Sequence, residues 1–285
     1  MCNFVCTMEL QQFITSALEE DVRDGDHTSL STIPSSKPGK ARLLVKDDGI
    51  LSGMDVAKAV FRLVDPGLVF STESKDGDNI RKGQVIFEVE GNVQSILKAE
   101  RLVLNCMQRM SGIATVTRKF ADAVQGTKAK IMDTRKTTPL MRQLEKAAVK
   151  AGGGHNHRFG LYDMILIKDN HVDSAGGIKQ ALKKAKQYLI DKNLSLSIEI
   201  ETRNLEEIKE ALETGIPDRI MFDNFSPEMA RMGVELVHGS TETEASGGIT
   251  LENVRNYALS GVDCISVGAL THSVKSLDLS LKIVK

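Results

Sequence analysis

Apolar residues recur at helical spacing through residues 8–20, MELQQFITSALEE, and predict a short opening helix. The Asp- and Gly-rich loop that follows, DVRDGDHTS, reads as a turn with helix-cap residues. Over residues 40–52 the pattern KARLLVKDDGILS predicts two strands joined by an Asp-Asp-Gly turn, and residues 54–64, MDVAKAVFRLV, return to a helical period. Glycines at 77, 83 and 91 then punctuate a β segment into short strands. A long helix follows from residue 96 to about 124, with Leu102, Leu104, Met107, Met110, Ile113, Val116 and Phe120 supplying its buried faces. Arg101 and Arg109 lie among them, where an arginine ordinarily snorkels to water.

Beyond Gly126 the rhythm becomes strand, loop, helix, repeated. Strands are predicted to begin near residues 129, 164, 194, 219, 241 and 263, with amphipathic helical segments between them. Repeated β/α units of this length imply a parallel sheet, and right-handed crossovers curl such a sheet into a barrel. Six strands are legible where a complete barrel has about eight, so either a weak strand is hidden or the barrel is open.

Composition narrows the partners. With 37 Lys plus Arg against 38 Asp plus Glu the net charge is -1, which argues against a protein that coats nucleic acid. No apolar run approaches the roughly 20 residues needed to cross a bilayer, so no membrane partner is expected. The start MCNFVCTMEL lacks the pattern of a secretory signal, and Cys2, Cys6, Cys106 and Cys264 read as reduced thiols of a cytoplasmic protein. Cys2 and Cys6 lack the second Cys or His pair that a metal site would need.

Within this neutral chain, residues 133–171 form a basic island around a triple glycine: Arg135, Lys136, Arg142, Lys146, Lys150, His155, His157, Arg158, Lys168 and His171. A mixture of forked guanidiniums and mobile ammoniums suits a ligand with several anionic groups. The strand ends carry Asp133 with Arg135 and Lys136, Lys168 with Asp169, Glu199 and Glu201, Asp223 with Asn224, Ser246-Gly247-Gly248, and Gly268-Ala269. All would gather at the C-terminal rim, where barrel enzymes build their sites. The last two ends, in EASGGIT and SVGALTHS, have the small residues of a phosphate loop, with His272 nearby. Glu201 and Asp223 offer hard oxygen ligands suited to Mg²⁺ bridging to substrate phosphates, or salt bridges to the island. Glu199 shares the strand face of Glu201, and either one suffices to reach a ligand. The histidines at 155, 157 and 171 raise a zinc reading, which the surrounding cations disfavour.

The chain resembles the quinolinate phosphoribosyltransferases. The resemblance covers nearly its whole length and rests on GDHTS, ERLVLNCMQRMSGIAT, DTRKTTP, LEKAAVKAGGGHNHRFGLYDMILIKDNH, IEIE, MFDNF, ASGGI and SVGALTHS, in family order. One departure is visible: the family commonly has Gly-Leu after TTP, where this chain has Leu140-Met141. The resemblance implies an α/β protein with an N-terminal α/β sandwich (1–125), an open α/β barrel (126–272) and a C-terminal segment (273–285) returning to the first domain. It further implies a homodimer, or an assembly of dimers, in which Arg101 enters the partner's site. The substrates it implies are quinolinate and 5-phosphoribosyl-1-pyrophosphate, with nicotinate mononucleotide, pyrophosphate and CO₂ as products. Arg101, Arg135, His157, Arg158 and Lys168 are then expected around quinolinate, and Lys136 and Lys168 near pyrophosphate. Mg²⁺ is expected near Glu201 and Asp223, and the 5′-phosphate on Ser246, Gly247, Gly248, Gly268 and Ala269. Lys136, Lys168, Glu201 and Asp223 are the expected catalytic groups.

Three other readings remain: a related phosphoribosyltransferase with another acceptor, a Schiff-base lyase using Lys168, and a pyridine-carboxylate binding protein without turnover. The complete arginine and histidine set favours quinolinate, and the retained carboxylates favour catalysis.

Overall fold

The structure is a computed structural model that describes residues 2–284, with side chains described from residue 10 onward; the side chains of Cys2 and Cys6 lie outside them. The chain opens with α1 (Cys2–Val22) and α2 (His27–Thr32). Asp26 caps α2, its carboxylate accepting from the Ser29 amide at 3.1 Å, as the Asp-rich turn predicts. Then come β1 (Pro38–Val45), β2 (Gly49–Ile50), α3 (Met54–Val64), β3 (Val69–Ser71), β4 (Asn79–Ile80), β5 (Val85–Asn92) and α4 (Val93–Ala123). In β1 the buried Ala41, Leu43 and Val45 alternate with Lys40 and Arg42, which reach Glu88 on β5 at 2.5 and 2.6 Å. On the inner face Phe61, Phe70 and Phe87 form an aromatic cluster with centroids 4.6–6.0 Å apart.

The second half contains β6 (Lys130–Met132), α5 (Arg142–Ala151), β7 (Ile165–Ile167), α6 (Asp169–Ala175), α7 (Ile178–Lys192), β8 (Ile198–Thr202), α8 (Leu205–Thr214), β9 (Arg219–Asp223), α9 (Pro227–Val237), β10 (Glu242–Ser246), α10 (Val254–Leu259), β11 (Cys264–Ser266), α11 (Ala269–His272) and β12 (Leu279–Val284). Six strands form one parallel sheet in the order β6-β11-β10-β9-β8-β7. β6 and β7 follow each other in sequence yet occupy opposite edges, so the barrel is open between them. The glycine-rich stretch before His157 partly fills this seam. His155 bridges Met132 in parallel, its N–H donating to the Ile131 carbonyl at 2.8 Å and its carbonyl accepting from Asp133 N–H at 3.1 Å.

Two compact units emerge. One comprises the chain up to Val116 with Pro139–Gly152 and everything from Val274 onward; the other comprises Thr117–Thr138 and Gly153–Ser273. The first contains β12, which pairs antiparallel with β1 in the sheet β12-β1-β5-β3. It also contains α5, the helix that follows the first barrel strand, so a continuous barrel segment over 126–272 is interrupted. An ion pair pins α5: the Arg109 guanidinium donates to the fully buried Glu145 carboxylate at 2.9 and 3.1 Å, and also to the Val274 carbonyl. Arg109 therefore does not snorkel to water. Its partner lies 36 residues away, beyond any local pattern. Cys106 and Cys264 are free and buried, and burial pushes the Cys106 thiol up to about 12, as expected of inert core thiols.

Candidate active site

The C-terminal ends of the parallel strands enclose a cavity of about 730 Å³ that lies wholly within the barrel unit. Arg135, Lys136, His157, Arg158, Lys168, Glu201, Asp223, Ser246, Gly247, Gly248, Gly268, Ala269 and His272 all line it. Arg101 does not; it is exposed on α4.

Opposite charges face each other here. Lys168 Nζ meets Glu201 Oε1 at 2.5 Å, and Asp223 Oδ2 accepts from the Asn224 side-chain amide at 3.0 Å. Burial lowers the pKa of Arg158 from its ordinary value, and the neighbouring Arg135 guanidinium lowers it further. Two guanidiniums brought together at the wall of a cavity favour an anion between them.

A second charged layer begins at the cavity wall, which His157 and Glu244 line, and continues behind it to Glu199 and Arg219. Glu199, Glu244 and His157 are buried, and the Arg219 side chain, largely enclosed, joins them. His157 Nε2 lies 3.0 Å from Glu199 and 3.5 Å from Glu244, while Arg219 Nη1 lies 2.9 Å from Glu244 and 3.7 Å from Glu199. Desolvation opposes a charge on His157, but the two carboxylates outweigh it and push the pKa up to about 9. Burial together with Glu244 raises Glu199 to about 7. The Glu244 carboxylate, despite its desolvation, is held below the ordinary range by His157 and Arg219. Of the two glutamates on β8, Glu201 is the one that reaches the cavity. Glu199, two residues earlier on the same face, sits one layer deeper.

The three histidines of the basic island do not converge on a zinc site: His155 and His171 are exposed, and His171 Nδ1 accepts from the Lys168 backbone N–H at 2.9 Å. His157, Glu199 and Glu244 do place three donor atoms within 4.8 Å of one another, but the Arg219 guanidinium already supplies the counter-charge there.

The two glycine loops are shaped by their neighbours. Gly247 has φ +92°, and a Cβ there would lie 2.2 Å from Asn224 Oδ1 and 3.0 Å from the Asn224 backbone nitrogen. Asn224 itself has φ +56° and donates its N–H to the Ser246 carbonyl at 2.8 Å. A Cβ at Gly268 would crowd the His272 ring and Lys136 Cδ, each at 3.1 Å, while Thr271 Oγ1 donates to the Lys136 carbonyl at 2.6 Å. Lys136, Gly268 and His272 thus meet at one corner of the cavity.

Sequence comparison decides the family. The model of the quinolinate phosphoribosyl transferase N-terminal domain matches residues 26–111, and that of the C-terminal domain matches residues 113–282. This chain belongs to the quinolinate phosphoribosyltransferase family. It is 48% identical over 292 residues to a chloroplastic nicotinate-nucleotide pyrophosphorylase [carboxylating] of Arabidopsis thaliana, covering 97% of this chain and 83% of that protein. It is 46% identical, with the same coverage, to a mitochondrial quinolinate phosphoribosyltransferase [decarboxylating] of Nicotiana glauca. The crystal structure of NadC from Streptococcus pyogenes superposes with a TM-score of 0.92 at 36% identity, covering 98% of both chains.

Several lining residues of this quinolinate phosphoribosyltransferase family member escape a reading of charged strand ends: Thr134, Met221, Glu244 and Thr250. Glu244 carries a usable signal, since Glu242, Glu244 and Ser246 share one strand face by the two-residue period, as Glu199 and Glu201 do. The departure from the family at Leu140 falls on a residue with φ +64° and 91% exposure, a conformation that suits glycine.

Proposed function

We propose that this chain transfers the phosphoribosyl group of 5-phosphoribosyl-1-pyrophosphate to quinolinate, with loss of CO₂, to give nicotinate mononucleotide and pyrophosphate. Its family membership supports this, and so does one feature of the site above all. Arg135, Arg158, Lys136 and Lys168 share a single cavity with Glu201 and Asp223 and the glycine loops. Two carboxylates, a pyrophosphate and a 5′-phosphate need cations at three places, and a cation-like sugar needs carboxylates.

In this reading Arg135 and Arg158 clamp the acceptor's carboxylates and aim its ring nitrogen at C1 of the ribose. The bond from C1 to pyrophosphate breaks as the bond from C1 to the ring nitrogen forms. Glu201 and Asp223 stabilise the positive charge that develops on the sugar, while Lys136 and Lys168 stabilise the leaving group. As the adjacent carboxylate departs as CO₂, the bonding pair stays on that ring carbon, stabilised by the neighbouring positively charged ring nitrogen, and the carbon then takes a proton from water. No covalent intermediate with the chain is required. Gly247, Gly248, Gly268 and Ala269 offer close backbone approach to the 5′-phosphate, with Ser246 and His272 beside them.

Glu201 and Asp223 suit Mg²⁺, because two carboxylates on neighbouring strands of an open cavity match its habit of binding a few protein oxygens together with substrate phosphates. When bound, the ion would neutralise the pyrophosphate. Arg101, exposed on α4, is free to serve a partner's cavity in a homodimer. No helix among the described residues is long and apolar enough to cross a membrane. A cytoplasmic location accords with this, although the two plant relatives are named chloroplastic and mitochondrial.

The test is turnover of purified protein with quinolinate, phosphoribosyl pyrophosphate and Mg²⁺. Formation of nicotinate mononucleotide supports the reading. Tight quinolinate binding without product would make the chain a binding protein, and product only with another acceptor would make it a divergent transferase.

A further inference from the structure

We infer that Asn224 is a positioning residue for the phosphoribosyl donor: its side-chain amide holds the Asp223 carboxylate and its backbone holds the Ser246–Gly247 loop, which fixes the spacing between the sugar end and the 5′-phosphate end of the cavity. The inference rests on the transferase reading for its kinetic consequences and on geometry alone for the linkage itself. Asn224 lines the cavity in the stretch MFDNF, and the chain on either side of it is anchored in the core. Phe222 and Phe225 are buried and stack with ring centroids 5.3 Å apart, and the Tyr257 hydroxyl donates to the Phe225 carbonyl at 2.8 Å. Residues three apart on an extended strand point to opposite faces, so this stacking takes the chain out of its strand course. Asn224 makes the turn, with φ +56°. Asparagine is among the few residues besides glycine that adopt this conformation readily.

From this turn Asn224 holds two parts of the site. Its backbone N–H donates to the Ser246 carbonyl at 2.8 Å, continuing the parallel ladder one step beyond the Asp223–Ser246 pair of β9 and β10. Its side-chain Nδ2 donates to Asp223 Oδ2 at 3.0 Å. An ionised carboxylate only accepts, so the amide nitrogen faces Asp223 and the amide oxygen turns toward Gly247. There Oδ1, Cγ and the backbone nitrogen of Asn224 occupy the space that a Cβ on Gly247 would need. One residue therefore touches both the carboxylate assigned to the developing charge and the glycine loop assigned to the 5′-phosphate. A donor held by its 5′-phosphate on that loop meets Asp223 at a set distance, so the carboxylate is already in place when charge develops at C1.

Two double-mutant cycles test the two contacts. Asn224→Gly keeps the φ +56° turn and the N–H to Ser246 but deletes the amide, so it should fold and melt within about 4 °C of wild type. Its kcat should fall about tenfold, the effect of one lost hydrogen bond to a charged group, with KM for quinolinate unchanged. Because Asn224 acts through Asp223, the same substitution in an Asp223→Ala background should change kcat by less than about twofold. The second cycle reads the loop by melting. Gly247→Ala should lose clearly less Tm in the Asn224→Gly background than in wild type, because only the backbone nitrogen, 3.0 Å from the new Cβ, then remains in its way. A tenfold loss that persists in Asp223→Ala would make Asn224 a direct substrate contact, and strictly additive Tm losses would detach it from the loop; either result overturns the inference. Inactivity of the wild-type protein with quinolinate and phosphoribosyl pyrophosphate would count against the transferase reading, whereas the melting cycle needs no turnover and still decides whether Asn224 holds the loop.

Discussion

Replacing Gly247 by alanine should injure the phosphate side of the cavity far more than the same change at Gly248. At Gly247 the backbone has φ +92°, and a new Cβ would fall 2.2 Å from Asn224 Oδ1, 2.6 Å from Cγ and 3.0 Å from the backbone nitrogen. The side chain of Asn224 can rotate away, but then it releases Asp223; the backbone nitrogen cannot move without breaking its bond to Ser246. At Gly248, φ is +62° and nothing lies within 4 Å of a Cβ, so alanine there incurs only the left-handed conformational cost of about 1–2 kcal/mol. Gly247→Ala adds the clash to a comparable or greater strain, for a total of about 2–4 kcal/mol. Part of this will appear as lower stability, read as a Tm loss of about 2–4 °C per kcal/mol. The rest will appear in binding, because displacing one backbone donor from a phosphate is worth about 1.5–3 kcal/mol. We therefore expect kcat/KM for phosphoribosyl pyrophosphate to fall about 10- to 100-fold in Gly247→Ala and only a few-fold in Gly248→Ala, with KM for quinolinate nearly unchanged in both. Equal effects at the two glycines, or wild-type kcat/KM and Tm in Gly247→Ala, would refute the argument from the Asn224 contact.

Arg135→Ala should keep the fold and lose about 10²-fold or more in kcat/KM for quinolinate, since it removes one arm of a carboxylate clamp; wild-type kinetics in a folded variant would remove Arg135 from that role. Glu199→Gln tests the buried layer through pH. The folded-state pKa of about 7 lies above the ordinary 4.5, so the stability linked to the protonated carboxyl is full below about 4.5 and is lost as pH rises through 7. Glutamine cannot ionise, so relative to wild type the variant should gain stability across that window, by at most about 3 kcal/mol. Denaturant titrations at several pH values would expose a flat difference, which would contradict the burial argument. Leu140→Gly should raise stability by a few tenths to about 1 kcal/mol, because relief of the φ +64° conformation exceeds the entropy that glycine adds to the unfolded chain; a clear loss of stability would sink this account.

The barrel was legible because short strand segments alternate regularly with amphipathic helices, several of the strands being apolar runs. Each of the six strands begins within a few residues of its predicted start, the latest being Ile198, against an expectation near 194. The strand ends were legible for a related reason: residues such as Lys168 and Asp223 break an apolar run where it meets solvent. The isolated bridge at the seam was not legible. His155 pairs with β6 through backbone groups alone, in a polar, glycine-rich stretch without hydrophobic period. Nor was the anchoring of Arg109, because an ion pair across 36 residues leaves no trace in local spacing. The two-residue period put Glu199 and Glu201 on one face but could not say which lies deeper. That depends on register with β9, where Glu199 stands opposite Arg219 and Glu201 opposite Met221.

The most direct measurement is the ratio of CO₂ released to nicotinate mononucleotide formed, using quinolinate labelled in the carboxyl group next to the ring nitrogen. A ratio of one to one, dependent on phosphoribosyl pyrophosphate, with no nucleotide formed when nicotinate replaces quinolinate, is the result that this account predicts. Nucleotide formed from nicotinate at a comparable rate, or CO₂ released without nucleotide, would contradict it.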